Sequence, residues 1–357
     1  MKKILFLTQT GVKGPASRYR AYQFLDYLRR NGFYCQVSAA IEDSCFDLFY
    51  SQEKPRLLKK LLTVFLKRLK DFNKIKDYDI IFLQREVLPQ VYPVIERIIY
   101  LMNKKIIFDF DDAIFLIPPQ RKSVIYDFRY KNNIKEIIKM STAVIAGNDY
   151  LADYAKQYNQ NVYMLPTVVD SDKFDDYKKR YVWKERMIIG WIGSLHTLFY
   201  LANIKDVFKK LNRKYKISLH VIGVTNFFID EVEVINKPWS LETELFDLKQ
   251  IDIGVAPLLD DEWGRGKCGL KALQYMSGGI PVVCSNAGVY KKIIKDGDNG
   301  FLADNEEQWI EKLSILITNT NMRKKMASAA RKTIEEKYSL KVNAPKLRLI
   351  LEKVSSG

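Results

Sequence analysis

Histidine is almost absent: His196 and His220 are the two in 357 residues, and both lie in the second half. Proton transfer in the first half is therefore left to carboxylates and other groups. Cysteine is nearly as scarce. Cys35, Cys45, Cys268 and Cys284 show neither metal nor redox spacing, and a chain this long needs no disulfide staple, so four free thiols in a reducing compartment are expected. No run approaches the roughly 20 apolar residues of a spanning helix. The opening Met1-Lys-Lys-Ile-Leu-Phe-Leu-Thr-Gln-Thr10 turns polar after four apolar residues, too soon for a secretory core, and reads as a first buried strand. No Gly-x-Gly-x-x-Gly follows that strand, and the Gly11–Gly14 spacing does not suit a dinucleotide. Internal repeats and low-complexity tracts are missing too. The expected place is the cytoplasm, or the inner face of the cell membrane as a peripheral protein.

Acids are outnumbered. Lys and Arg total 58 against 42 Asp and Glu, a formal charge of +16, which calls for an anionic partner or environment. Between Lys54 and Lys76 nine Lys or Arg face the single acid Asp71, and the apolar residues Leu57, Leu58, Leu61, Leu62, Phe65, Leu69, Phe72 and Ile75 recur at helical spacing. That segment reads either as a basic amphipathic helix docking on anionic lipid or as a helix packed on its own domain with a solvated basic face. No reader motif accompanies the charge, so nucleic acid is not expected as a partner.

The 47% of apolar residues is enough for two cores. Short apolar strands alternate with helical stretches, first at Lys3–Thr8, Gln36–Ala40, Ile80–Leu83, Ile106–Phe110, Ala143–Ala146 and Val162–Leu165, with helices near Arg18–Asn31 and Val91–Met102. A second series follows at Met187–Trp191, Ser218–Ile222, Ile253–Ala256 and Pro281–Cys284, with helices near Tyr200–Tyr215 and Leu270–Ser277. Such alternation predicts an α/β protein with parallel sheets and crossover helices in two similar halves. The polar, Pro-initiated stretch Pro166–Tyr177 and the basic 178–186 read as the linker.

Three places carry chemistry. In Gly266-Lys-Cys-Gly-Leu-Lys-Ala-Leu-Gln-Tyr-Met-Ser-Gly-Gly-Ile-Pro-Val-Val283 a basic, Gly-rich loop enters a helix that stops before a buried strand. Backbone N–H groups, the helix N-terminus, Arg265, Lys267 and Lys271 can meet a diphosphate, and Gln274 can reach ribose hydroxyls. Lys105-Ile-Ile-Phe-Asp-Phe-Asp-Asp-Ala113 ends in Asp109, Asp111 and Asp112, an expensive cluster unless it faces a cleft. It reads as a site, as a divalent-metal pair, or as a capped strand end in solvent; the reading taken has no metal. Gly11-Val-Lys-Gly-Pro-Ala-Ser-Arg-Tyr-Arg20 gives a loop with Gly11 and Gly14, then a helix capped by Ser17. There Arg18 or Arg20 would grip a phosphate, or stand as surface residues of an ordinary strand-to-helix turn.

The donor-like stretch, with Ser285–Val289 and Lys295–Leu302 after it, resembles retaining glycosyltransferases of the GT-B fold, family 4 or glycosyl transferases group 1, in the subgroup that builds bacterial surface polysaccharides. The resemblance covers nearly the whole chain, most strongly Asp252–Leu302. It implies two Rossmann-like domains facing a central cleft: 1–170 on the acceptor side, 171–339 binding a nucleotide-sugar donor, and a helix in 340–357 packing back on the first. It also implies sugar transfer from a nucleoside diphosphate to a lipid-linked or glycan acceptor with retention, and no cofactor. Asp109, Asp111 and Asp112 would meet the acceptor, Asp111 taking its proton. Gly193, Ser194 and Thr197 would join Arg265, Lys267, Lys271 and Gln274 at the donor, with His196 nearby.

The chain departs from the family pattern twice. Its Glu-x7-Glu becomes Gly266 and Gln274, and the usual Gly-Arg and lysine pair is replaced by Gly190-Trp-Ile-Gly-Ser-Leu-His-Thr197. Asp260–Glu262 are put forward in place of the first glutamate. A non-catalytic GT-B-fold partner docking at the membrane is therefore kept as the alternative, and an epimerase-type nucleotide enzyme as a third.

Overall fold

Ile80–Gln84 and Lys105–Phe110 are apolar on both faces, as strands in the middle of a parallel sheet must be. A computed structural model places them there and describes residues 1–50, 57–88, 92–117, 133–177 and 184–356, without the side chains of 47–50, 57–61 and 176–177. The chain divides into two compact units. Unit 1 comprises Met1–Thr167, Gly266–Cys268 and Asn343–Gly357; unit 2 comprises Val168–Arg265 and Gly269–Val342.

Unit 1 is built on β1 (Lys2–Thr10), β2 (Phe33–Ile41), β3 (Ile80–Gln84), β4 (Lys105–Phe110), β5 (Ala143–Ala146) and β6 (Val162–Met164), all parallel in the order β2-β1-β3-β4-β5-β6. Between them run α1 (Pro15–Arg20), α2 (Leu25–Arg30), α3 (Asp43–Tyr50), α4 (Leu57–Ile75), α5 (Val94–Leu101), α6 (Asn133–Met140) and α7 (Asp149–Lys156). Register sets Thr8 beside Gln84, Gln84 beside Asp109, and Phe110 beside Ala146. The residues that follow these strands therefore gather at one carboxyl edge.

Unit 2 repeats the plan with β7 (Met187–Ile192), β8 (Ile217–Ile222), β9 (Glu233–Lys237), β10 (Ile253–Ala256), β11 (Val282–Ser285) and β12 (Phe301–Ala303) in the order β12-β11-β10-β7-β8-β9, again parallel. Its helices are α8 (Leu198–Ala202), α9 (Lys205–Lys214), α10 (Glu244–Gln250), α11 (Glu262–Arg265), α12 (Leu270–Ser277), α13 (Tyr290–Ile293), α14 (Glu306–Thr318) and α15 (Thr320–Thr333); α16 (Leu340–Ser356) closes the chain. Trp191, Phe208, Leu219, Val255 and Leu313 fill the core on the helix side.

Two local expectations change. Ser17 is not a cap: α1 starts at Pro15 with Gly14 before it, and the Ser17 hydroxyl is buried against Thr10 and Gln84. The basic helix lies partly outside the described residues, since 54–56 precede α4. Within it the surface turned to the sheet is Val64, Arg68, Asp71 and Ile75, not the leucine row. Of the linker, 178–183 fall outside the described residues. No described helix is long and apolar enough to cross a membrane.

Candidate functional site

At the carboxyl edge of unit 1, two layers of ion pairs form. In the inner one, fully buried Arg20 gives Nε and Nη2 to the Asp109 carboxylate, with Nη2 at 2.5 Å, and Nη1 to the Leu165 carbonyl at 2.8 Å. Burial pushes the Asp109 carboxyl up, and Arg20 pulls it partly back. Each guanidinium nitrogen thus has an interior partner, and both residues are committed to holding α1 against β4.

The outer layer is more open. Arg85 follows β3 with φ of 63°, a left-handed backbone rare for a side chain of its size. That turn aims its guanidinium at Asp111 Oδ1, 2.7 Å from Nη2, and at Asp112 Oδ2, 3.1 Å away. Lys267 Nζ reaches the other Asp112 oxygen at 2.8 Å. Burial would push the Asp111 carboxyl up, but Arg85 and then Arg20 outweigh it and hold Asp111 below the ordinary carboxylate range. Asp111 is therefore an anion at neutral pH, a hydrogen-bond acceptor more than a strong base.

Residues 266–268 belong to this unit, and their backbone seats against Ala113, three residues past β4: a Cβ at Gly266 would lie 2.4 Å from the Ala113 Cβ, so only glycine fits. Asn148 Nδ2 fixes the Lys267 carbonyl at 3.0 Å. Among the three basic residues expected around a diphosphate, Lys267 thus sits with the Asp cluster of unit 1, whereas Arg265 and Lys271 stand in unit 2.

The loop after β1 is already filled by an internal anion. Asp43 accepts from the N–H groups of Val12 at 3.0 Å and Lys13 at 2.8 Å, and a Cβ at Gly11 would strike its carboxylate. The backbone nest in the Gly11–Gly14 loop thus holds this side chain.

In unit 2, Tyr275 Oη accepts from Ile192 N at 2.9 Å and donates to the Gly190 carbonyl, pinning α12 beneath the end of β7. Lys271, one turn earlier, places Nζ 5.0 Å from the Trp191 ring centroid, a cation–π contact. Beyond β7, the N–H of Ser194 is held by Thr197 Oγ1 in a tight 3₁₀ turn that also carries His196. Gly193 precedes that turn. Arg265 pairs with Asp260, which also receives Lys291 at 3.1 Å.

Gln274 is buried, and Nε2 lies 3.3 Å from Glu244 Oε1; the other Glu244 oxygen accepts from Trp239 Nε1 at 2.5 Å. Sequence reading missed Glu244 and Trp239, because no motif links α10 to α12. It missed Arg85 as well, since a left-handed turn after a strand leaves no mark in residue type. A separate cavity of about 200 Å³ opens beside Tyr200, Asn203, Pro257, Ser285, Asp304 and Trp309; none of the expected donor residues lines it.

Residues 173–333 match the model of the family described as glycosyl transferases group 1. No curated protein sequence matches the chain. Solved structures do resemble it in fold. Sucrose-phosphate synthase from Thermosynechococcus elongatus is 10% identical with a TM-score of 0.69 over all of both chains. HepE from Anabaena, solved with UDP and glucose, is 15% identical with a TM-score of 0.70 over 99% of this chain and 100% of its own. The lipopolysaccharide outer core galactosyltransferase WaaB, solved without ligand, is 14% identical with a TM-score of 0.60 over 98% and 99%. The chain therefore has the GT-B fold of two parallel six-stranded sheets and, with the glycosyl transferases group 1 match across residues 173–333, is a glycosyltransferase in class.

Proposed function

We propose that the protein moves a sugar from a uridine diphosphate sugar to a lipid-linked or polysaccharide acceptor, with retention at the anomeric carbon, in the synthesis of a surface glycan. The observation that carries the donor half is the Gln274–Glu244 pair: α12 presents an amide where the family pattern has an acid, and α10 brings the carboxylate to it. Glu244, oriented by Gln274 and Trp239, accepts from the ribose hydroxyls. Arg265, Lys271 and the N–H groups opening α12 take the diphosphate charge that develops as the sugar leaves. Gly193, Ser194 and Thr197 shape the backbone beside it.

The acceptor half falls to unit 1. Asp111 and Asp112 accept hydrogen bonds from the incoming hydroxyl and orient it, with Arg85 and Lys267 holding both carboxylates in place. Asp109 and Arg20 stand behind them as support. Residues 1–170 then serve the acceptor, 171–339 the donor, and the helix in 340–357 returns to the first domain. HepE was solved with UDP-glucose, which supports a uridine donor. The basic stretch Lys54–Lys76 would bring the enzyme to the anionic inner membrane surface where a lipid-linked acceptor resides.

The test is a thermal-shift series with UDP, GDP, ADP, CMP and TDP on the wild type, Lys271→Ala and Glu244→Ala. Stabilisation by UDP that shrinks in both variants supports the reading. No shift with any nucleotide overturns it and favours a non-catalytic partner.

A further inference from the structure

Helix α4 is built inside out. Its sheet-facing side carries an ion pair: Arg68, 1% exposed, donates to the carbonyls of Thr8 and Ser38 and to Asp71, which also receives the Ser38 hydroxyl. The apolar residues Leu62, Phe65, Leu66 and Leu69, at i, i+3, i+4 and i+7, lie on the solvent side and are 43% to 54% exposed. A solvated helix would place these side chains the other way round. Lys67, Lys70 and Lys74 form the strip beside them.

The neighbouring helix repeats the feature. α5 buries Ile95, Glu96 and Ile99 and exposes Val94, Ile98 and Leu101, the last to 71%. α4 connects β2 to β3 and α5 connects β3 to β4, so right-handed crossovers put both on one face of the sheet. Buried Arg68 of α4 and Glu96 of α5 lie close enough to feel each other's charge. One helical layer of unit 1 therefore shows two exposed apolar stripes.

We propose that this layer is a lipid-docking face, seating Leu62, Phe65, Leu66 and Leu69, with Val94, Ile98 and Leu101, into the interfacial zone of an anionic bilayer while Lys70 and Lys74 meet headgroup phosphates. Charge selects the occupant. The only acid between Lys54 and Lys76 is Asp71, and it is turned inward to Arg68, so the described outer side chains of α4 include lysines and no acid of the helix itself; Lys67 pairs with Glu42, and Lys70 and Lys74 lie exposed beyond it. A second copy would oppose like charge with like, whereas anionic lipid matches both the charge and the apolar stripe. The proposal deepens the membrane reading of Lys54–Lys76 given above and does not depend on the donor site.

Flotation of the full chain with phosphatidylcholine vesicles, with and without one third phosphatidylglycerol, tests it. Binding should require the anionic lipid and fall at least about ten-fold in Leu66→Gln/Leu69→Gln, and roughly thirty-fold in Lys70→Gln/Lys74→Gln. Val94→Gln/Leu101→Gln should also weaken binding. All three variants alter exposed side chains, so melting temperature and the UDP shift should stay as in the wild type. A lost UDP shift in the wild type with vesicle binding intact would sink the donor reading alone. Vesicle binding unchanged in the α4 variants, or absent from the wild type, overturns this proposal. So does a wild-type dimer that the α4 variants dissociate, which would make the face a protein interface.

Discussion

Gln274 and Glu244 stand amide to carboxylate, 3.3 Å apart, where the family pattern has a glutamate in the position of Gln274. The Glu244 carboxylate accounts for the amide at Gln274. With a carboxylate arriving from α10, an acid on α12 would face a like charge in a buried site, while an amide donates to it.

Gln274→Glu, which restores the family residue, should therefore harm the protein. Two buried carboxylates in contact are expected to cost about 1–3 kcal/mol at pH 8 and less at pH 5, where one can hold a proton. Urea unfolding of variant and wild type at the two pH values measures the difference. Equal stability at both would show that Glu244 and Gln274 do not meet.

The acidic cluster should separate into a structural residue and two chemical ones. Removing Arg20 as Arg20→Met strands the buried Asp109 carboxylate and should cost about 3–5 kcal/mol. Asp111→Asn and Asp112→Asn lie in the more open layer. They should lose under about 2 kcal/mol each while lowering sugar transfer by about ten-fold or more. Thermal melts and transfer assays on the same preparations decide it; a large stability loss in Asp111→Asn with transfer intact would reverse the assignment.

Asp43 should behave as a built-in anion. Asp43→Ala removes the acceptor of two loop N–H groups and should cost about 1–2 kcal/mol. It also empties the nest, so added inorganic phosphate should raise the melting temperature of the variant more than that of the wild type. A differential melt with and without phosphate reads this directly.

The two-sheet plan was legible because strands such as Ile80–Gln84 are apolar on both faces and alternate with helical stretches. β9 was not, since Glu233–Lys237 is a polar strand at the sheet edge and shows only when paired with β8. Nor was β12, three residues behind an Asp-Gly and Asn-Gly turn. At the site, single motifs such as Asp109–Asp112 and Lys271–Gln274 could be read from spacing. Their partners Arg85, Glu244 and Asp43 could not, because each arrives from an element 20 or more residues away in sequence. Arg68 was counted among the solvent-facing basic residues; helical spacing marks a face but not which face meets the sheet.

Glu96 sets a pH dependence unrelated to catalysis. Burial pushes its carboxyl from the ordinary 4.5 up to about 7, against the pull of the Val87 N–H it accepts and of Arg68. The folded chain therefore holds a proton that the unfolded chain has already released between those values, and stability falls as pH rises from 4.5 to 7, then levels off. The full drop corresponds to roughly 3 kcal/mol. Glu96→Gln keeps an oxygen for Val87 and carries no charge, so it should match the wild type at pH 5 and exceed its stability by about 2–3 kcal/mol at pH 8. Urea melts of both proteins at the two pH values measure this, and a gap that does not widen with pH would mean that Glu96 ionises freely in the fold.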